Sequence, residues 1–344
     1  VTRAAPGTAR TCLILTALLA LSLVCGVALG PVRIPLPDVL ALLRAAVVGD
    51  TIDVSQAGAY RIVWDIRLPR VLLAAVVGAG LSTVGVAVQA LVRNPLADPY
   101  VLGISSGASV GATAVAAFGL FASLGIYALS TAAFLSALAA MALVYLVARS
   151  LTPLRLVLTG TAMAYGFSAI AMLLVFQAPR GEAARSAMFW LLGSLGGVTW
   201  AALPVAAVTT AAGIAFLLGK ARVLNALAMG DEAATTLGVD VTRLRRGLFV
   251  VTAAMTGVLV AVSGAVGFVG LVLPHVVRLL VGADHRRVLV VAPLAGACFL
   301  VWVDVAARLL AAPEELPLGV ITAALGVPCF VLLMRRRGYV FGGR

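Results

Sequence analysis

Residues 71–92 read VLLAAVVGAGLSTVGVAVQALV, a run without one charged side chain. At 1.5 Å per residue, a helix of that length reaches about 33 Å, enough to cross a hydrocarbon core of about 30 Å. Backbone N–H and C=O groups find no partner in lipid, so such a segment crosses as a helix that satisfies them internally. Gly78, Gly80, Ser82 and Gly85 lie within it. Small residues let backbones approach closely where no hydrophobic force joins helices, so the run also reads as one member of a packed bundle.

The same reading extends outward. Apolar segments occupy 11–30, 101–121, 126–148, 156–178, 201–219, 247–269, 271–283, 288–310 and 317–334, which with 71–92 makes ten. The 344 residues are 62% hydrophobic and 11% charged, more apolar side chain than a soluble core can hide. The expectation is an all-α polytopic membrane protein, one transmembrane domain over 1–344 with about ten spans. Two segments need a further test. Arg3 and Arg10 followed by an apolar run also describe a secretory leader, but Leu23 and Val24 before Cys25 are not a lipobox, so the segment reads as a retained first helix. Segment 271–283 is short, and a re-entrant course there would flip everything behind it.

Charge distribution orients the chain. With ten spans and a cytoplasmic N-terminus, 17 of the 25 basic residues fall on the inner side, including Lys220, Arg243, Arg245, Arg246 and Arg335 to Arg337. The other eight, Arg67, Arg70 and Arg308 among them, fall outside, as the positive-inside rule expects. Both termini are then cytoplasmic. Trp64, Trp190 and Trp200 fall at outer boundaries and Trp302 in the outer part of its span. The blocks 71–178 and 247–334 start from opposite faces, as an inverted repeat requires.

Several chemistries are excluded. Four scattered cysteines and two histidines supply no metal or disulfide framework, and no catalytic or metal site is expected. The net charge of +12 comes without interleaved aromatics, so nucleic acid is not expected as a partner. No phosphate-binding loop GxxxxGK[ST] is present; the single lysine, Lys220, is followed by Ala221. If ATP drives this protein, another chain hydrolyses it, and ATP and Mg belong to that partner. Asp304 is the one acid inside a span, with Arg308 one turn further on, a spacing suited to an ion pair on one face. The rival secondary transporter would take up ligand alone under a proton or sodium gradient. A membrane enzyme or receptor would need a catalytic cluster or signalling domain that the sequence lacks.

The largest inner loop, 220–246, holds Gly230-Asp231-Glu232-Ala233-Ala234-Thr235-Thr236-Leu237-Gly238. Gly230 breaks the preceding segment, Asp231 reads as the cap of a helix of about two turns, and Gly238 ends it. A short surface helix in that place suits a docking element for a separate ATPase.

The residues resemble the iron-chelate and cobalamin permeases of the FecCD type. The resemblance is carried by Arg67-Leu68-Pro69-Arg70, Gln89 through Asn94-Pro95-Leu96-Ala97-Asp98-Pro99, and Leu102-Gly103-Ile104-Ser105-Ser106-Gly107-Ala108. It continues with Gly230-Asp231-Glu232-Ala233, Leu237-Gly238, Gly267 to His275 and Glu315-Leu316-Pro317-Leu318-Gly319. It implies the type II ABC importer permease fold in a bacterial plasma (inner) membrane, with a second permease subunit, either identical or a close paralogue. Two ATPase subunits and an extracytoplasmic substrate-binding protein complete the implied machine. It implies that Arg67, Arg70 and Arg308 meet acids of the binding protein and that Asn94, Pro95 and Leu96 line a cytoplasmic gate. It further implies that Gly230, Asp231, Glu232, Ala233, Ala234, Leu237 and Gly238 form the ATPase coupling element. At the second gate loop Pro153 and Leu154 stand where the cobalamin permeases have small hydroxyl residues. The cargo implied first is a ferric siderophore, with haem and cobalamin as alternatives.

Overall fold

A computed structural model describes residues 7–148 and 151–335. Arg3, Arg149, Arg336, Arg337 and Arg344, part of the inner charge surplus, lie outside the described residues. Fifteen α-helices follow in order. They are α1 (Gly7–Ala28), α2 (Leu36–Val48), α3 (Ala57–Tyr60), α4 (Leu68–Val92), α5 (Ile104–Phe118), α6 (Ala128–Ala148), α7 (Pro153–Phe176) and α8 (Gly181–Leu191). Then come α9 (Leu203–Gly219), α10 (Ala221–Ala228), α11 (Asp231–Thr236), α12 (Val241–Ser263), α13 (Val269–Val281), α14 (His285–Leu309) and α15 (Leu318–Arg335). Six helical runs are long and apolar enough to cross a membrane, seven if α9 and α10 are one span bent by 61°. Three shorter apolar helices, α5, α13 and α15, complete a set that matches the ten apolar segments in order.

α4 is the central post. Pro69 sits in its first turn, directly behind the π turn Arg61–Arg67, and Arg93 ends it in the left-handed region at φ 53°. Almost every side chain from Val77 to Val92 is buried, because α9, α12, α13 and α14 surround the helix. Contact with α14 is set by Gly78 and Gly296. A Cβ on either would run into the other's carbonyl oxygen, and a Cβ on Gly85 would run into the carbonyl of Gly270 on α13. The small residues of the opening stretch are therefore its packing face.

Pairwise packing repeats under an exchange of halves. α4 packs on α14 and α13, while α12 packs on α6 and α5; α5 packs on α6 and α7, and α13 on α14 and α15. Exchanging α4 with α12, α5 with α13, α6 with α14 and α7 with α15 maps each contact onto another. Both short helices start behind a left-handed residue, Gly103 at φ 75° and Phe268 at φ 67°. Their starts also meet, since the Val266 N–H donates to the Tyr100 hydroxyl at 2.7 Å. Each short helix thus follows a non-helical stretch that uses up part of the crossing.

This arrangement decides the course of 271–283. Ahead of α13, Ser263 accepts from Ser194 N–H at 2.8 Å. Behind it, Asp284 accepts from the Asn225 side chain at 2.7 Å. Ser194 belongs to the end of the bundle where α4 begins, and Asn225 to the end where α4 finishes. The segment therefore runs from end to end rather than folding back.

Helices that sequence periodicity does not single out fill the flanks: α2, α8, α10 and the winding stretch Val54–Arg67 of 3-10, α and π turns. Trp64 and Trp200 pack together there, centroids 5.2 Å apart, and Trp200 Nε1 donates to the Trp64 carbonyl at 3.0 Å.

Gly78→Ala should lower the unfolding temperature in detergent by the equivalent of about 1–3 kcal/mol of overpacking. Gly166→Ala on α7, where a new methyl meets nothing within 4 Å, should leave it unchanged.

Candidate functional site: two polar ends of the bundle

At the end where α4 begins, three guanidiniums turn inward. Arg67, Arg70 and Arg308 are 4%, 5% and 3% exposed, and Asp304 is fully buried. Arg70 Nε donates to Asp304 Oδ1 at 2.7 Å and Arg70 Nη1 to Glu315 Oε1 at 2.7 Å. Asp304 Oδ2 lies 3.0 Å from Arg308 Nε in a charge contact that lacks hydrogen-bond alignment. The i, i+4 pair expected from the sequence is present, and Arg70 joins it from α4.

The remaining donors cap a helix. Arg67 Nη1 donates to the carbonyls of Val27 and Ala28 at 3.1 and 3.0 Å, and its Nη2 to that of Val32. Arg308 donates to Leu29 at 2.8 Å and Gly26 at 2.9 Å. These are the orphan carbonyls of the C-terminal turn of α1 and the stretch after it, where the helix dipole favours a cation. Three positive charges against two carboxylates are thereby compensated.

Arg67, Arg70 and Arg308, which the resemblance pairs with acids of a binding protein, have their guanidiniums bonded within this chain to its own carbonyls and carboxylates. An arginine beside an apolar run reads as a boundary residue, but its partners here lie far off in sequence. Glu315 is the member of the cluster open to solvent, with a side chain 32% exposed.

At the other end, Asn94, Pro95 and Leu96 form a tight turn. Asn94 Oδ1 accepts from Leu96 N–H at 2.9 Å, the Asx geometry that lets this residue replace backbone partners. Asn94 and Pro95 are exposed and Leu96 half-buried. Beside them stands α11. Gly230 precedes it at φ 118°, a conformation reserved for glycine, and Gly238 follows at φ 81°. Glu232 and Leu237 are exposed, Ala233 half-buried, and Ala234 buried beneath them. Asp231 is not the helix cap that its position suggests. Its side chain accepts from Arg245 Nη2 at 2.9 Å and lies 3.7 Å from Arg93 Nη1.

Further contacts at and above this end are invisible to motif reading. Asn225 joins α10 to α14 through Asp284, and accepts from the His285 N–H at 2.9 Å. The Asn225 amide and the neighbouring arginines hold the Asp284 carboxyl below its ordinary value. Arg278 of α13 donates to Gln89 of α4, whose amide nitrogen reaches the carbonyls of Gly270 and Leu271 at 3.3 Å. Pro153 occupies the first turn of α7, with Leu154 69% exposed. Among the described residues no group of three or more His, Cys, Asp or Glu could hold a metal ion.

Residues 17–336 match the FecCD transport family. The chain belongs to that family. It is 45% identical over 283 residues to the cobalamin import system permease protein BtuC of Halobacterium salinarum, covering 80% of this chain and 74% of that one. It is 40% identical over 277 residues to the Fe(3+) dicitrate transport system permease protein FecD of Escherichia coli, covering 80% and 86%. A solved inward-facing structure assigned to the metal-chelate type of ABC transporter superposes with a TM-score of 0.81 at 32% identity, covering 96% of this chain and 99% of that one. The protein is thus a multi-pass permease of the ABC importers for iron chelates, haem or cobalamin. In such systems a separate subunit hydrolyses ATP, and permeases work with ATPase and substrate-binding partners, typically as dimers.

Asp304→Ala would leave Arg70 and Arg308 buried without their shared carboxylate. The expected cost is about 3–5 kcal/mol, read as a fall in unfolding temperature or loss of folded protein. Glu315→Gln, at a partly exposed site, should cost about 1 kcal/mol or less.

Proposed function

We propose that this chain is the permease subunit of an importer that carries a ferric siderophore from a substrate-binding protein into the cytoplasm. It pairs with a second copy or a close paralogue and with two ATPase subunits in a bacterial plasma membrane. The Asp231 end faces the cytoplasm, both termini with it, and the Arg70 end faces outward. The family match along residues 17–336 carries this reading. The similarity to a ferric dicitrate permease and to a metal-chelate transporter supports an iron chelate as cargo. Cobalamin is the second reading, favoured by the 45% identity to a cobalamin permease; haem is the third.

In this reading α11 seats in the ATPase through Glu232 and Leu237, the turn Asn94-Pro95-Leu96 narrows the cytoplasmic side of the path, and the Arg70 end receives the binding protein. Arg67, Arg70 and Arg308 shape that receiving face from within, and the contact itself falls to exposed side chains beside them. Arg33 follows Val32, a carbonyl partner of Arg67, and Arg61 opens the turn that ends at Arg67; both are exposed.

Vesicles holding this chain, its ATPase and external binding protein should take up ferric siderophore only when ATP is present on the ATPase side. Cobalamin or haem uptake in its place would reassign the cargo. Uptake by the chain alone under an ion gradient would overturn the importer reading. Reversing Arg33 and Arg61 to Glu should weaken capture of the loaded binding protein on the order of tenfold, chiefly through the association rate, and leave folding intact.

A further inference from the structure

We propose that Arg93 and Asp231 are a positioning pair that links the ATPase-facing helix α11 directly to the Asn94-Pro95-Leu96 turn. Movement of α11 then reaches that turn without passing through the long helices. The inference rests on the proposed roles of α11 and of the turn.

Three segments distant in sequence meet at one carboxylate oxygen. Asp231 Oδ1, in the first turn of α11, lies 2.9 Å from Arg245 Nη2 on α12 and 3.7 Å from Arg93 Nη1 at the end of α4. The two contacts differ in kind. The Arg245 side chain is 7% exposed, and its Nε is buried without a hydrogen-bond partner, so the short charge-assisted bond to Asp231 is the contact that compensates it. That contact anchors α11 to α12. Arg93 and Asp231 are 43% and 42% exposed, and 3.7 Å is too long for a hydrogen bond. Such a pair adds little net stability. A weak, solvated pair is what a contact between moving parts requires, because it can lengthen and close again at small cost.

Backbone geometry gives the pair its direction. Arg93 holds a left-handed conformation at φ 53°, its N–H donating to Ala90 and its neighbour Asn94 donating to Gln89. The chain thereby turns out of α4 and lays the guanidinium against the start of α11. Arg93 Nη2 is 3.6 Å from the place a Cβ would take on Gly230, an ordinary contact distance, so the guanidinium lies directly against the start of α11. On the other side of Arg93 the turn is stiff. Asn94 Oδ1 holds the Leu96 N–H, and the Asn94 carbonyl holds that of Ala97 at 3.0 Å. A displacement of Arg93 moves residues 94–96 as a piece instead of being absorbed by slack.

The test uses the full complex in vesicles, with transport and ATP hydrolysis measured together. Arg93→Gln removes the charge from an exposed side chain and leaves the Arg245–Asp231 bond in place. A cysteine replacing Thr236, an exposed α11 residue with no role in the proposed seat, cross-linked to the ATPase, reports whether α11 is seated. The expected result is normal cross-linking, hydrolysis near the wild-type rate, and transport per ATP lower by on the order of five- to tenfold. Arg93→Lys, which keeps the charge, should restore most of the coupling. Normal transport per ATP in Arg93→Gln would overturn the link. Joint loss of cross-linking and transport would overturn it too, making Arg93 a docking residue. Absence of the Thr236→Cys cross-link in the otherwise unaltered chain would instead remove the reading of α11 on which the link rests.

Discussion

A carboxylate with no solvent exposure, Asp304, sits between two guanidiniums, and the geometry of one end of the bundle follows from it. Isolated, that charge would cost several kcal/mol to bury, so Arg70 and Arg308 must be present and must be positioned. Arg70 comes from α4 and Arg308 from α14, the two helices that Gly78 and Gly296 bring into backbone contact. Two arginines and one carboxylate leave a surplus of positive charge. Glu315 takes part of it, and the carbonyls at the end of α1 take the rest through Arg308. Arg67 repeats the capping from the other side. Close glycine packing, the ion cluster and the helix cap are thus interdependent, and losing the carboxylate loosens all three.

The opposite end is built on other terms. Its ion pairs with Asp231 are partly solvated, its turn is held locally by the Asn94 side chain and carbonyl, and its short helix buries a single side chain, Ala234. Local stability scales with buried apolar contact and with protection of hydrogen bonds, so this end opens more readily than the other. In the importer proposed above, the first end is the one that receives the binding protein and the second the one that meets the ATPase.

Hydropathy made the spans legible because lipid imposes a simple rule on backbone groups and the ten apolar runs obey it. The exchange of halves was legible only as opposed orientation, since it resides in which helices touch. Sequence spacing reveals the Asp304–Arg308 pair, as residues four apart share a helix face. It does not reveal Arg70 beside Asp304 or Arg67 beside Val27, because nothing local encodes a partner on another helix. The same limit explains Asp231. Its place after Gly230 is that of a cap, but the proximity of Arg245 gives its carboxylate a stronger partner than a backbone N–H. Amphipathic α2 and α8 escaped because flanking helices carry charges that interrupt an apolar count.

The short helices α5 and α13 show how such a bundle reconciles rigidity with a path. A full-length helix in lipid hides its backbone and offers no polar group to a cargo. Starting a helix part-way through the crossing exposes backbone groups, which is tolerated only where protein or water meets them. Here protein does: the Tyr100 hydroxyl accepts from Val266 N–H, Asp98 holds the N–H of Tyr100 at 2.8 Å, and Gln89 reaches the carbonyls of Gly270 and Leu271. The two breaks are therefore satisfied largely by each other and by α4. Because Asn94-Pro95-Leu96 lies on the chain leading into one of them, a shift of that turn disturbs a set of bonds shared with α13. The loop and the central break are thus joined by the chain itself and by bonds shared with α13.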